Sequence, residues 1–253
     1  MIKDQIKKIY KAKIINTEKV STNSYYIEID CNKEIEARAG QFVSIYCEGL
    51  TFRRPFSIFT NNKGKIGILY KERGKGTKYI KSLKKGESID ISGPLGNSFS
   101  IKNCKSLLIG AGIGTAPISF LKSKLENENI ENIFIAGFLN KNEIPKLINP
   151  NIIYTDDGSF GKKGNVLSDT EEIIKKYKPE IIYGCGPEIV LKKTSELGER
   201  YNIETQISLE KLMACSIGVC RGCVIDIKHG TKTVNASVCK DGPVFWGNEV
   251  IWQ

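Results

Sequence analysis

Histidine is almost absent: His229 is the only one in 253 residues. A site built on two histidine ligands is therefore excluded. A Ser-His-Asp or Cys-His hydrolase would have to use His229 as its only base. No apolar run approaches the ~18 residues of a membrane-spanning helix. The N-terminal stretch MIKDQIKKIYKAKI breaks its apolar residues with lysine and shows no h-region of a secretory signal. These absences predict a cytoplasmic chain with reduced cysteines and no membrane partner. No internal repeat or low-complexity linker occurs, and no arginine lies between Arg73 and Arg200.

What is present fits a folded protein. Hydrophobic residues make up 40% and charged residues 26%, ordinary fractions for a globular chain. The length suffices for one to three domains with real cores. The formal charge is +10, but the lysines are scattered and no basic run is interleaved with stacking aromatics. That pattern predicts a basic surface attracting anionic cofactors rather than a nucleic-acid site.

The first hundred residues read as short strands at 6–15, 24–29, 42–46, 52–59, 65–71 and 88–91, punctuated by glycines, with one helix at 77–83. Many short strands with turn signals predict a small antiparallel β-barrel. Beyond residue 100 the pattern changes. The continuous apolar run 106–110 suits a strand buried on both faces. Helices at 117–128, 166–177 and 187–200 then alternate with strands at 132–136, 151–155, 181–184 and 203–208, which predicts a doubly wound parallel sheet. Pro187 suits the first turn of its helix. The tail after residue 208 is too short for a large core, so a metal centre would add the missing stability. The expected division is 1–100, 101–208 and 209–253, a β-barrel plus α/β architecture with a small C-terminal domain.

Four of the eight cysteines lie in that tail. Cys215, Cys220, Cys223 and Cys239 are spaced C-x4-C-x2-C-x15-C, and the first three spacings are those of plant-type [2Fe–2S] ferredoxins. Small residues such as Ser216, Gly218 and Gly222 would let backbone N–H groups turn toward the sulfurs. A structural Zn(Cys)4 site commonly uses two C-x2-C pairs, and only one is present here. Cys31, Cys47 and Cys104 read as small core hydrophobes.

Two further segments suit phosphate. Gly110-Ala-Gly-Ile-Gly114-Thr115-Ala-Pro117 joins a strand to a helix, where free N–H groups and the helix dipole attract anions. Arg53-Arg54-Pro55-Phe56-Ser57 precedes Gly74-Lys-Gly76-Thr77 by twenty residues. A guanidinium holds a pyrophosphate through paired hydrogen bonds.

Taken in order, these parts resemble the ferredoxin–NADP reductase superfamily. The resemblance rests on Arg54-Pro55-Phe56-Ser57, Gly74–Thr77, the GPLGN turn 93–97, Gly112–Pro117 and Cys185-Gly186-Pro187. The cysteine loop and the DGPVF tail at 241–245 narrow it to the electron-transfer subunits of NAD-dependent dihydroorotate dehydrogenases. The resemblance implies FAD held by Arg54, Pro55, Phe56, Ser57, Leu69, Tyr70, Lys71, Gly76 and Thr77. It implies NAD contacts at Gly112, Gly114, Thr115, Pro117, Cys185, Gly186 and Pro187, and a [2Fe–2S] cluster on the four tail cysteines. It also implies a partner, an FMN-containing dihydroorotate dehydrogenase catalytic subunit, in a heterotetramer with two of each subunit. Electrons would run from that partner through the cluster and FAD to NAD+, in pyrimidine biosynthesis. A related reductase serving a ferredoxin or a sulfur-reducing partner is the alternative.

This sequence departs from the family loop at Ser216, where glycine is usual. Serine would be accommodated by ordinary backbone angles, or its hydroxyl would bond a sulfur. The arginine-free stretch favours NAD over NADP, because no guanidinium is there to clamp a 2′-phosphate. Lys141, Lys162 or Lys163 would have to substitute. Asp156 and Asp157 are candidates for ribose hydroxyls or for turn capping.

Overall fold

The computed structural model describes residues 9–33 and 35–252. Positions 6–8 of the first expected strand lie outside them. The N-terminal half forms β1 (Ile9–Lys19), β2 (Ser24–Asp30), β3 (Phe42–Ile45), β4 (Arg54–Ser57), β5 (Thr60–Asn62), β6 (Lys65–Lys71), α1 (Lys75–Ser82) and β7 (Ser88–Leu95). All pairings in this sheet are antiparallel, in the order β4-β3-β7-β1-β2-β6-β5. The chain 54–62 supplies both edges. β4 pairs with β3 at one end and β5 with β6 at the other, so the sheet rolls into a barrel. Between them Phe59 N–H donates to Gly67 O at 2.9 Å. Alternate residues such as Ile27, Ile29, Val43, Ile45, Ile66, Ile68, Ile89 and Ile91 fill the interior, following the period-2 side-chain geometry of strands.

The second sheet is built from β8 (Ser106–Ala111), α2 (Thr115–Asn127), β9 (Asn132–Phe138), β10 (Ile152–Thr155), β11 (Lys162–Lys163), α3 (Thr170–Tyr177), β12 (Ile181–Cys185), α4 (Glu188–Tyr201) and β13 (Glu204–Ser208). The order β11-β10-β9-β8-β12-β13 is parallel throughout. Both faces are buried, as the continuous apolar runs predict. Leu107, Ile109, Ile135 and Ile182 share one cluster with Ile174 of α3 and Leu197 of α4. Leu108, Phe134 and Tyr183 share another with Ile118 and Leu121 of α2. Pro187 sits at the N-cap of α4 rather than in its first turn.

The tail holds the hairpin β14 (Val224–His229) and β15 (Lys232–Ser237), followed by β16 (Val244–Trp246). β16 returns to pair antiparallel with β13, so the DGPVF segment ends inside the second sheet. The turn after β7 clamps this segment. Asn97 donates from Nδ2 to Val244 O at 2.8 Å and to Asp241 O at 3.0 Å, and accepts from Val244 N–H at 2.9 Å. Asn97 N–H also donates to Gly242 O at 2.7 Å. The GPLGN turn and the DGPVF segment are thus bonded to each other. Among the described residues, no helix is long and apolar enough to cross a membrane.

Cys31 and Cys47 are buried, as expected of core thiols, whereas Cys104 is only half-buried.

Candidate functional site

Strand order reverses between β8 and β12, and ligands bind open α/β sheets at such a switch point, outside the strand C-termini. Here the two strand ends are in direct contact. A Cβ on Gly114 would lie 2.4 Å from Cys185 O, and one on Gly186 would lie 2.8 Å from the Ala111 Cβ. Gly112 differs: its φ is +55°, and a Cβ there would meet nothing within 4 Å. Its requirement is conformational, and the space above it stays open. Thr115 Oγ1 donates to Gly112 O at 2.7 Å, so its hydroxyl closes the turn. Pro117 is buried in the first turn of α2, whose leading N–H groups have no intrahelical acceptor.

A cleft opens in front of this switch point. Its walls include Pro55, Phe56 and Ser57 of β4, Leu69, Tyr70 and Lys71 of β6, and Ile113, Ala116 and Cys185. Phe56 meets Tyr70 edge-to-face at 5.7 Å. Lys71 Nζ is fixed by Glu143 at 2.8 Å, an ion pair joining the barrel to the second sheet. The structure thus brings the expected β4 and β6 residues and Cys185 onto one surface.

Arg54, Gly76 and Thr77 stand together outside the cleft lining. A Cβ on Gly76 would come within 2.7 Å of Arg54 Cγ, so the arginine stem lies on the glycine. Arg54 Nη1 donates to Phe52 O at 2.7 Å. Thr77 Oγ1 accepts from the N–H groups of Arg73 and Gly74 at 2.9 and 3.0 Å, capping α1. That leaves the first-turn amides of α1 beside a guanidinium, a suitable cradle for phosphate.

Sequence reasoning missed Arg73, Ser208, Leu209, Glu210, Lys211, Met213 and Pro243, which also line the cleft. Pro243 lies in the DGPVF motif, which reads as a family signature and not as part of the cleft; no linear motif marks the others. The available signal was the C-terminal end of β13, which must face the same crevice as its parallel neighbours. Glu210 keeps access to solvent, but the surrounding walls raise its carboxyl above the usual carboxylate range, and Arg73 pulls it partly back. Burial pushes the Cys185 thiol well above its ordinary range, with Glu210 adding to the shift, so it stays neutral.

The four tail cysteines fall into two pairs. Cys220 is tied to Cys215, and Cys239 to Cys223, by the backbone N–H of the one donating to the sulfur of the other. Among the described residues no three cysteine, histidine or acidic groups converge on one metal-ion position. Two thiolates per iron is the donor set of a two-iron cluster, whereas a structural zinc needs all four at one point. Every sulfur also accepts a backbone N–H. Gly218 donates to Cys239 Sγ at 3.0 Å. Ile217 and Cys220 donate to Cys215, Gly222 to Cys220, and Cys239 to Cys223, each at 3.4 Å. Burial opposes the Cys215 thiolate, but the amides of Cys220 and Ile217 contribute to an overall lowering, to about 6. The residues present fit the cluster.

Ser216 satisfies neither sequence expectation. Its φ is +59°, in the left-handed region, so its backbone angles are not ordinary. Its hydroxyl bonds Ser44 Oγ at 3.1 Å instead of a sulfur. An apolar cluster links the cysteines to the cleft: Phe42 and Leu95 of the barrel belong to it with Cys223, Val238, Cys239 and Phe245, and Phe42 also lines the cleft.

A family model described as the iron–sulfur cluster binding domain of dihydroorotate dehydrogenase B matches residues 210–251, and one for an oxidoreductase FAD-binding domain matches residues 11–99. The Caldanaerobacter subterraneus protein named dihydroorotate dehydrogenase B (NAD(+)), electron transfer subunit, is 36% identical over 252 residues, covering 96% of this chain and 98% of its own. The Clostridium acetobutylicum protein of the same name is 37% identical over 250 residues, with 94% and 96% covered. Among solved structures, that of an NADH-dependent reduced ferredoxin–NADP oxidoreductase, studied for flavin-based electron bifurcation, superposes with a TM-score of 0.81 at 25% identity. It covers 95% of this chain and 90% of that one. A ferredoxin reductase of carbazole 1,9a-dioxygenase shares the fold at a TM-score of 0.67 and 17% identity, over 78% of this chain and 66% of its own. With a third of its residues shared over nearly its whole length, the chain belongs to the family of electron-transfer subunits of NAD-dependent dihydroorotate dehydrogenase B.

Proposed function

We propose that this chain carries electrons between a dihydroorotate-oxidising catalytic subunit and NAD+, in the cytoplasm, as part of pyrimidine biosynthesis. The partner would hold FMN, in an assembly with two copies of each subunit. The observation that carries the reading is Phe42, which lines the cleft and belongs to the same apolar cluster as Cys223 and Cys239. When bound, FAD exchanges two electrons with a nicotinamide and single electrons with an iron–sulfur cluster.

The chain's own residues then have distinct tasks. Arg54 and the first-turn amides at Gly76 and Thr77 neutralise the flavin pyrophosphate. Phe56 and Tyr70 form an aromatic wall for a planar ring, with Pro55, Ser57, Leu69 and Lys71 around them. The Gly112–Gly114 turn and the start of α2, through Thr115 and Pro117, receive the dinucleotide phosphates. Cys185, Gly186 and Pro187 bound the nicotinamide end, where a neutral thiol adds no charge. Cys215, Cys220, Cys223 and Cys239 are the cluster ligands. Lys162, one of the lysines that would have to accept a 2′-phosphate, is paired with Asp169 at 2.8 Å, which supports NAD. We retain 1–100, 101–208 and 209–253 as the functional division, with β16 reaching back into the second unit.

The test is an anaerobic visible spectrum with iron, sulfide and flavin analysis, before and after NADH. About two irons and one FAD per chain, both bleaching with NADH, are expected, as is loss of iron in Cys220→Ser. A colourless zinc protein would sink the reading. Mixing with the catalytic subunit should couple dihydroorotate oxidation to NAD+ reduction. Turnover with a ferredoxin and none with dihydroorotate would favour the second reading, which the solved ferredoxin-dependent structure supports.

A further inference from the structure

Ser216 is 1% exposed and held at a φ that disfavours any residue with a Cβ. Its hydroxyl is held by a strand 172 residues away, through the 3.1 Å hydrogen bond between Ser44 and Ser216. Ser44 is central in β3 and fully buried. Val43 and Ile45 on either side point into the barrel core, so Ser44 and Phe42 face out toward the cysteine loop. The seat is braced from behind. Ser44 O accepts from Ser92 Oγ and Arg53 Nη1, both at 3.4 Å, and Arg53 is paired with Asp90 at 2.7 Å.

We infer that Ser44 and Ser216 form a latch that positions the cysteine loop, and any cluster it holds, against the flavin barrel. The inference rests on the function proposed above. Both serines are positioning residues: neither lines the cleft itself, Ser44 lies behind Pro55 of its wall, and the Ser216 hydroxyl bonds Ser44 rather than a sulfur. A hydrogen bond between two buried hydroxyls fixes the loop in two ways. It defines a direction that apolar packing alone does not, and breaking it strands the partner without a bond in a dry site. One-electron transfer weakens steeply with separation, so a loosened loop slows transfer without altering the ligands.

The test compares the parent chain, Ser216→Gly, Ser44→Ala and the double variant, each loaded with cluster and FAD. Glycine adopts the left-handed φ freely, so Ser216→Gly keeps the loop's shape, relieves the Cβ strain and removes the hydroxymethyl group, and any loosening it shows is due to the lost hydrogen bond rather than to backbone strain. Two readouts are taken: hydrogen exchange of the amides at 215–220, and rapid mixing with NADH while flavin and cluster absorbance are followed separately. Each single variant should keep its iron and bleach flavin at the parent rate. Loop exchange should rise about tenfold and cluster reduction should slow by a similar factor. The double variant should be no worse than either single one, because the two hydroxyls act as a unit. Parent-like exchange and cluster rates in Ser216→Gly, or effects that add in the double variant, would overturn the latch. If Ser44→Ala loses flavin through barrel damage, Ser216→Gly decides alone. A parent chain that binds no iron would defeat the proposed function, and the exchange measurement would still decide the latch.

Discussion

Gly114 touches the carbonyl of Cys185 so closely that a β-carbon would sit 2.4 Å from its oxygen. The glycine loop and the Cys-Gly-Pro motif, seventy residues apart in sequence, are therefore one structural unit at the strand reversal. Gly114→Ala must push the end of β12 away, an overpacking cost of about 1–3 kcal/mol. Gly112→Ala meets no atom and bears only the left-handed backbone cost, about 1–2 kcal/mol. Thermal unfolding should show the larger loss for Gly114→Ala. NADH affinity should fall in both variants, because each reshapes the phosphate turn. Gly114→Ala with parent stability would show that the contact is relieved by a simple shift.

Arg54 and Gly76 make a second interlocked pair. Arg54→Ala should lower FAD occupancy by removing the positive charge beside the α1 amides. Gly76→Ala should do the same with the guanidinium still present, because its Cβ would displace the arginine stem from 2.7 Å. Flavin absorbance per chain after gel filtration measures both. Unchanged flavin in Arg54→Ala would remove that residue from the site, and a loss in Arg54→Ala alone would deny the coupling.

Much of the fold was legible because period and burial agreed. The strand at 65–71 and the apolar runs at β8 and β12 were readable for that reason. The expected strand 52–59 shrank to Arg54–Ser57, because the chain leaves one sheet edge there to cross to the other. β5 reads Thr-Asn-Asn, whose two asparagines disfavour a strand, and it forms by pairing with β6. β16 is Val-Phe-Trp, rich in strand-favouring residues, but its place beside β13 is fixed by tertiary contact. The candidate site divides in the same way. Motif residues were legible one by one. Arg73, Glu210 and Lys211 were not, since only the folded crevice brings them together.

Asn97 shows how a motif residue acts structurally. Its side chain makes three hydrogen bonds to the 241–244 segment, tying the barrel exit to β16. Asn97→Ala should cost about 1–3 kcal/mol, since the N–H and C=O of buried Val244 lose their partner. Asn97→Asp keeps the acceptor and loses both donors, so it should fall between the two. Denaturant unfolding of the flavin-loaded chain gives the ranking. An alanine variant as stable as the parent would reduce the clamp to packing.

Glu210 gives the chain a pH signature. Its folded-state carboxyl titrates above the ordinary value because burial penalises the charge, and Arg73 only partly offsets this. A carboxyl raised on folding favours the native state while it is protonated, and the contribution is lost as pH rises through the raised value. Glu210→Gln cannot ionise and escapes that loss. In the flavin-free chain, the variant should gain thermal stability relative to the parent between about pH 4.3, the ordinary glutamate value, and pH 7. The comparison between variants cancels the titrating groups that do not sense Glu210, and Cys185, which does, stays neutral across this range. A difference in midpoint that stays constant across that range would place Glu210 in ordinary solvent rather than against the cleft wall.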